Sequence, residues 1–218
     1  MEISSLALFE GISADELREM TALGCLRTAD FEKGAVLFRT GDRTEEFGVL
    51  LSGEVHVESG DLWGNRIILH SIPAGHAFAE TYALCGVPMM ADVTAVQPCR
   101  VLLIRLAALL GPENEACVWY PRLLRNLTLL FARKNLAWSG RVFCLSAKGI
   151  RSRVMMYLSA QAAQAGSTEF SIPFDRQQLA DYLNVERSAL SKELGRMRKE
   201  GILTFRKNHF RLHRTPGL

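Results

Sequence analysis

Corner signals punctuate the first part of this chain at short, even intervals: Lys33-Gly34, Gly41-Asp42, Ser52-Gly53, Ser59-Gly60-Asp61, Trp63-Gly64-Asn65 and Ala74-Gly75. Between them lie short runs of β-branched and large apolar residues, at Val36–Phe38, Val49–Leu51, Val55–Val57 and Ile67–Leu69. Two more runs follow, at Val93–Val96 and Val101–Ile104. Short strands joined by glycine corners at such spacing build a small barrel or roll. Only Phe78–Leu84 breaks the rhythm, and it reads as a helical turn inserted among strands.

The pattern changes on either side of this β region. Near the start, Ser13 with Glu16 three residues on forms a capping box, and Leu17, Met20 and Leu23 follow at helical spacing. Beyond the strands, Leu124, Phe131, Trp138 and Leu145 recur every seven residues, and Leu123, Leu127, Leu130, Ala137 and Val142 widen the stripe. This heptad-like pattern predicts one long helix over residues 113–146. The helix could pack on its own barrel, but the stripe is wider than a small barrel needs. It therefore reads as a seam between two chains, carried by Leu124, Leu127, Phe131, Trp138 and Leu145.

The last part of the chain has a third pattern. Ile150, Val154, Met155 and Leu158 predict a helix ending near Gly166, and Phe170–Pro173 a short strand. Asp175 and Gln178 then form a second capping box, ahead of a short helix with Leu179, Ala180 and Leu183 inside. Asn184-Val185-Glu186 reads as a tight turn. A helix from about Arg187 to Lys199 follows, with Leu190, Leu194 and Met197 on its buried face and Gly201 as its stop. Alternation around Lys207-Asn208 predicts a closing hairpin. Helix, strand, helix–turn–helix and hairpin in this order form a winged helix-turn-helix. The fold class is thus α+β. A roll of jelly-roll or double-stranded β-helix type spans 1–112, a dimerisation helix 113–146 and a winged helix-turn-helix 147–218.

Charge follows the same division. Residues 147–218 hold 13 Lys and Arg against 6 Asp and Glu, a net of +7, whereas residues 1–146 hold 13 against 17, a net of −4. The overall +3 hides a basic end suited to a polyanion. Hydrophobic residues make up 48%, too many for a disordered chain, and no apolar run reaches the roughly 18 residues of a membrane span. The start, MEISSLALFEGIS, lacks the basic region of a signal peptide. Five scattered cysteines predict reduced thiols and a cytoplasmic protein rather than a disulfide framework.

On the second helix of the helix–turn–helix, Arg187, Ser188, Ser191 and Lys192 share one face of the N-terminal half, the part of a recognition helix that reaches base edges. Arg187 could pair bidentately with guanine. Arg176, Arg196, Arg198, Lys199, Arg206 and Lys207 are placed to touch phosphate. Such charges could also be a solvated face, but they sit on a capped helix–turn–helix inside the basic end of the chain.

These segments carry a resemblance. IPFDRQQLADYLNVERSALSKELGRMRKEGILTFRKNHFRLH resembles the DNA-binding domain of the Crp/Fnr superfamily of bacterial regulators, and KGAVLFRTGD, GVLLSGEVHV and GNRIILHSIPAGHAFAE resemble its cyclic-nucleotide-binding roll. The wording is most like a subgroup common in anaerobic bacteria with largely unassigned effectors. The resemblance implies a homodimer on a two-fold symmetric DNA site, RNA polymerase as a further partner, and a small effector in the roll. By the same resemblance the effector pocket would draw on Phe78, Glu80, Thr81, Tyr82, Met89, Met90, Trp138 and Ser139.

Departures from the pattern bear on the effector. The resemblance implies an Arg-Ser pair to complete a phosphate cage, and Met89-Met90 stands there instead. A buried, unpaired phosphate is costly, so the expected effector is something other than ordinary cyclic AMP. Trp138 could stack on a ligand or fill the pocket itself, although the heptad already accounts for it. No pattern identifies a cofactor. A haem- or gas-responsive roll stays open as an alternative: it would need an axial ligand, and His56, His70, His76, Cys85, Met89 and Met90 are available, although none has diagnostic spacing. Iron–sulfur sensing would need clustered cysteines near the N-terminus, where Cys25 stands alone. Cys99 and Cys117 would be redox-reactive only if exposed near positive charge. Ser188 occupies a position where related recognition helices often carry Glu, which predicts an unusual operator. No HExxH, GxSxG, P-loop or paired-cysteine zinc motif supports an enzyme.

Overall fold

The computed structural model describes residues 1–60 and 66–213, in two compact units, Met1–Leu130 and Phe131–Leu218. The Trp63-Gly64-Asn65 corner and the side chain of His70 lie outside the described residues.

In the first unit the Ser13–Glu16 capping box forms in both directions and opens α1 (Ala14–Ala22), which buries Met20 completely. The strands are β1 (Leu26–Phe31), β2 (Val36–Phe38), β3 (Glu46–Ser52), β4 (Glu54–Gly60), β5 (Arg66–Pro73), β6 (Ala77–Phe78), β7 (Asp92–Ala95) and β8 (Cys99–Arg105). Among the described residues they form two four-stranded sheets, ordered β1-β8-β3-β6 and β2-β7-β4-β5, and the pairings are antiparallel. Leu50, Val101 and Leu103 from the first sheet meet Val55, Ile72, Val93 and Ala95 from the second in one buried cluster. Each such side chain contributes about 1.5–3 kcal/mol by leaving water. This cluster is the core of the roll.

One glycine makes room in that core. A Cβ on Gly48 would stand 2.3 Å from the Phe78 ring, so only glycine lets the ring lie across β3. Phe78 also meets Phe38 edge-on, with ring centroids 5.9 Å apart. The helical insertion is α2 (Glu80–Cys85), entered through Ala79 in the left-handed conformation (φ 64°). That conformation costs a non-glycine residue about 1–2 kcal/mol.

After α3 (Leu106–Leu109), the long helix α4 spans Tyr120–Ser146 rather than starting at residue 113. The intervening residues hold a 3-10 turn, Pro112–Asn114, and the Asn114 side-chain amide folds back onto the Ala108 carbonyl at 2.6 Å. The first turns of α4 are anchored within the first unit: Asn126 donates to the carbonyls of Leu8 (3.0 Å) and Glu10 (2.9 Å). Leu123 and Leu127 are buried on that side. Leu127, expected at a seam between chains, is already covered within one chain. The heptad pattern marks an apolar position but not which molecule buries it.

The second unit holds α5 (Ile150–Ala165), β9 (Glu169–Ser171), α6 (Arg176–Tyr182), α7 (Arg187–Lys199), β10 (Leu203–Arg206) and β11 (His209–Leu212). The strands form a sheet ordered β10-β11-β9, with a two-residue corner at Lys207-Asn208 that places Lys207 at φ 55°. Leu190, Leu194 and Met197 of α7 pack with Val154 and Leu158 of α5, Leu179 and Ala180 of α6, and Phe210 of β11. The buried face of α7 is the one its sequence period marks, which leaves the opposite face to solvent.

Candidate nucleic-acid interface

Local chemistry sets the position of α7. The Asp175 side chain accepts from the Gln178 amide at 2.8 Å and the Gln178 side chain accepts from the Asp175 amide at 2.9 Å, so the second capping box also forms. The chain leaves α6 through Asn184 at φ 49°, and the Val185 amide closes onto the Ala180 carbonyl at 3.0 Å. Four successive carbonyls at this turn take donors from two arginines. Arg141 of α4 donates to Asp181 (3.0 Å) and Tyr182 (3.1 Å), and Arg153 of α5 to Leu183 (3.0 Å) and Asn184 (3.1 Å). Carbonyls left free by a helix end need such partners.

Glu186 caps α7. Its carboxylate accepts from the amides of Ser188 (2.9 Å) and Ala189 (3.0 Å) and from the Ser188 hydroxyl. The hydrogen bonds from Ser188, then the Ala189 amide, hold the Glu186 carboxyl below the usual carboxylate range. Glutamate is outside the usual set of cap residues, Ser, Thr, Asp and Asn, so sequence pattern did not single it out. The same geometry bears on Ser188: its hydroxyl is engaged with Glu186.

Arg187, Ser191 and Lys192 are exposed on the N-terminal half of α7, on one face with Ser188. Further along, Arg198 and Lys199 are exposed, and Arg196 lies 3.5 Å from Glu193. Glu193 also accepts from Arg151 at 2.6 Å, and Arg151 reaches Glu200 as well, at 2.7 Å. Arg196 therefore shares its charge with an acidic neighbour, whereas Arg198 and Arg176 are placed by aromatic contacts. The Arg176 guanidinium lies 4.9 Å from the centre of the Phe205 ring and Arg198 lies 5.3 Å from the same ring. A guanidinium over an aromatic face gains about 0.5–2 kcal/mol and loses mobility. Burial, then the nearby Arg187 charge, pushes the Arg176 pKa down. Arg176 also donates to the Lys207 carbonyl at 3.4 Å, while the side chains of Arg206 and Lys207 are exposed on the wing. Arg176, Arg187 and the wing thus lie on one basic side of the second unit.

The residues assigned to an effector pocket fall in both units. In the first unit Phe78, Glu80 and Met89 are buried, Tyr82 is half-buried, and Thr81 is exposed. Met89 packs in the roll core with Phe78, and Met90 is 77% exposed. Of this pair, Met89 is thus taken up by the core and Met90 faces solvent in the single chain. Trp138 and Ser139 belong to the second unit, where Trp138 is exposed and Arg141 stands 5.5 Å from its ring centre. His56 lies between Glu54 and Glu58, each at 3.8 Å. Among the described residues, no group of three His, Cys, Asp or Glu side chains could hold a metal ion.

Four of the five thiols are held toward the protonated form. Burial pushes the pKa values of Cys25, Cys99 and Cys144 up, with Asp30 adding to the effect at Cys99. Desolvation and Glu19 do the same for Cys117. The positive neighbour that would stabilise a thiolate is replaced by a carboxylate at both Cys99 and Cys117.

Residues 28–111 match the family described as Cyclic nucleotide-binding domain, and residues 152–218 match the Crp-like helix-turn-helix domain. The fumarate and nitrate reduction regulatory protein of Escherichia coli (strain K12) is 24% identical over 212 residues, covering 88% of this chain and 77% of that protein. Glutaminase 1 of Bradyrhizobium diazoefficiens is 32% identical over 145 residues, 66% of this chain, and the chain spans only 22% of that protein's length. The catabolite activator protein of Thermus thermophilus shares the fold, with a TM-score of 0.54 at 22% identity over 95% of this chain and 93% of that one. No helix among the described residues is long and apolar enough to cross a membrane. With a nucleotide-binding-type roll ahead of a Crp-like helix-turn-helix, the chain belongs to the Crp/Fnr family, as a DNA-binding transcription regulator rather than an enzyme.

Proposed function

We propose that the protein acts as a homodimer that lays two copies of α7 into successive major grooves of a two-fold symmetric DNA site. The carrying observation is the set Arg187, Ser191 and Lys192, exposed together on the N-terminal half of a helix whose other face is buried. Arg187 reads a base, with guanine O6 and N7 as the matching acceptors, and Lys192 reads a base or its phosphate. Arg176, Arg198, Lys199, Arg206 and Lys207, with Arg196 beside Glu193, anchor the backbone. RNA polymerase is the further partner of such a regulator.

The dimer seam runs along α4. Leu124, Trp138 and Val142 are exposed on one side of the helix, and Phe131 between them is half-buried. Asn135, Trp138, Ser139, Val142, Phe143 and Ser146 line a shallow, open face on the later turns of the helix. A stripe of this kind repeats at the heptad spacing that pairs two helices, so a second copy of the chain is its natural occupant.

The roll answers to a signal other than ordinary cyclic AMP. Met89, at the position implied for the phosphate-pairing arginine, is 4% exposed and carries no charge, so a cyclic-nucleotide phosphate does not fit there. The packing of Met89 and Phe78 in the core also favours a second reading, a constitutive DNA binder whose roll is filled by its own side chains. A haem- or redox-responsive roll has no such observation behind it.

Salt dependence tests the DNA assignment. Affinity for a selected duplex should fall steeply with salt, log K losing about 0.9 per phosphate neutralised for each decade of salt concentration. Binding that does not respond to salt would contradict it. An absorbance spectrum and native mass spectrum of the purified protein distinguish a filled roll from one that carries a ligand or haem.

A further inference from the structure

We propose that Glu186 reads a base: its carboxylate accepts a hydrogen bond from an exocyclic amino group on a major-groove base edge, cytosine N4 or adenine N6. The inference rests on the reading of α7 as the recognition helix.

Glu186 is exposed and adjoins Arg187 at the end of α7 that leads into the groove. Three donors fix its carboxylate, the amides of Ser188 and Ala189 and the Ser188 hydroxyl. A carboxylate offers about four acceptor positions, so one remains for an incoming donor. The bonds from Ser188 and Ala189 also hold its pKa low, so at neutral pH the group stays ionised and can only accept. Its position is thus set before DNA arrives, and no side-chain freedom is lost when it binds.

The charge decides what can meet it. The first amides of a helix commonly bind phosphate, but here two of them already face a carboxylate. A phosphate oxygen brought to this spot would meet like charge. The neutral donors that a major groove presents are the amino groups of cytosine and adenine. Ser188, with its hydroxyl on Glu186, acts as a positioning residue for the carboxylate rather than as a separate reader.

The test uses the full chain and a DNA pool randomised across both half-sites. Selection with the unmodified protein should return cytosine or adenine at one fixed position per half-site, beside the position that Arg187 reads. Glu186→Ser keeps a good helix cap but removes the reach. Its preference at that one position should drop about tenfold, the size of one base contact, with other positions unchanged. Glu186→Gln, which keeps the reach without the charge, should weaken or switch the same position. Uniformly tighter binding by both variants, with the selected sequence unchanged, would overturn the proposal and leave Glu186 a mere repeller of phosphate. Arg187→Ala in parallel separates the two levels. If Arg187→Ala changes one base position and neither Glu186 variant does, the inference fails alone. If none of the variants changes any position, the reading of α7 fails with it.

Discussion

Arg141 donates through Nε to the backbone oxygen of Tyr182 at 3.1 Å, so a side chain of α4 closes the last turn of α6. Its guanidinium also lies 5.8 Å from the centre of the Tyr182 ring. With Arg153 on the next two carbonyls, the turn of the helix–turn–helix is held from helices outside it. Arg141→Ala should cost about 1.5–3 kcal/mol, the range for a hydrogen bond to a charged group. Arg141→Lys should recover only part of this, because an ammonium cannot span both carbonyls with a planar fork. Hydrogen exchange checks it: amides of α6 should lose protection in both variants while those of the roll do not.

Gly48→Ala should destabilise the roll by about 1–3 kcal/mol, as overpacking does elsewhere, because the added methyl would collide with the Phe78 ring. Gly195→Ala, in α7 with open space around it, should be neutral or stabilise by about 0.4–1 kcal/mol. Urea midpoints of the two variants give the comparison.

Glu46 accepts from Arg27 at 2.9 Å, and that bond holds its carboxyl below the usual carboxylate range. A depressed folded-state pKa adds stability that is fully present above the unfolded value of about 4.3 and is lost as pH falls through the lower folded value. Glu46→Gln should therefore lose stability at neutral pH but show a smaller drop in its urea midpoint on acidification than the unmodified chain. Parallel acid slopes for the two proteins would show that the pair does not contribute.

Leu124→Glu should halve the sedimentation mass while leaving the circular dichroism intact, since Leu124 is exposed on α4. Leu127→Glu, three residues on and buried in the first unit, should instead unfold that unit. An unchanged mass for Leu124→Glu would place the dimer contact elsewhere.

What could be read from the chain was local. The Ser13–Glu16 and Asp175–Gln178 boxes and the Lys207-Asn208 corner each depend on residues a few positions apart, and they appear where the pattern predicts them. β1 was hidden because Leu26–Phe31 is an edge strand with a mostly polar surface and no clear alternation. The start of α4 was hidden because Asn114 turns the chain through a side-chain bond that propensity does not encode. At the interface, the face of α7 follows from helical spacing, but its setting does not. Arg141 reaches carbonyls 40 and 41 residues away and Arg153 reaches 30 and 31, distances at which sequence carries no periodic signal. Glu186 lay in plain view beside Arg187 but is a residue type that caps helices infrequently.

The role of α7 as the reading helix is tested most directly by the binding of Arg187→Ala to the selected site and to each of its single-base variants at one fixed salt concentration. The expected result is a loss of about 1–3 kcal/mol on the selected site and an indifference to sequence at one base pair per half-site, with discrimination elsewhere intact. An equal loss on every duplex, with discrimination unchanged, would make Arg187 a phosphate contact and contradict the assignment of α7 as the reading helix.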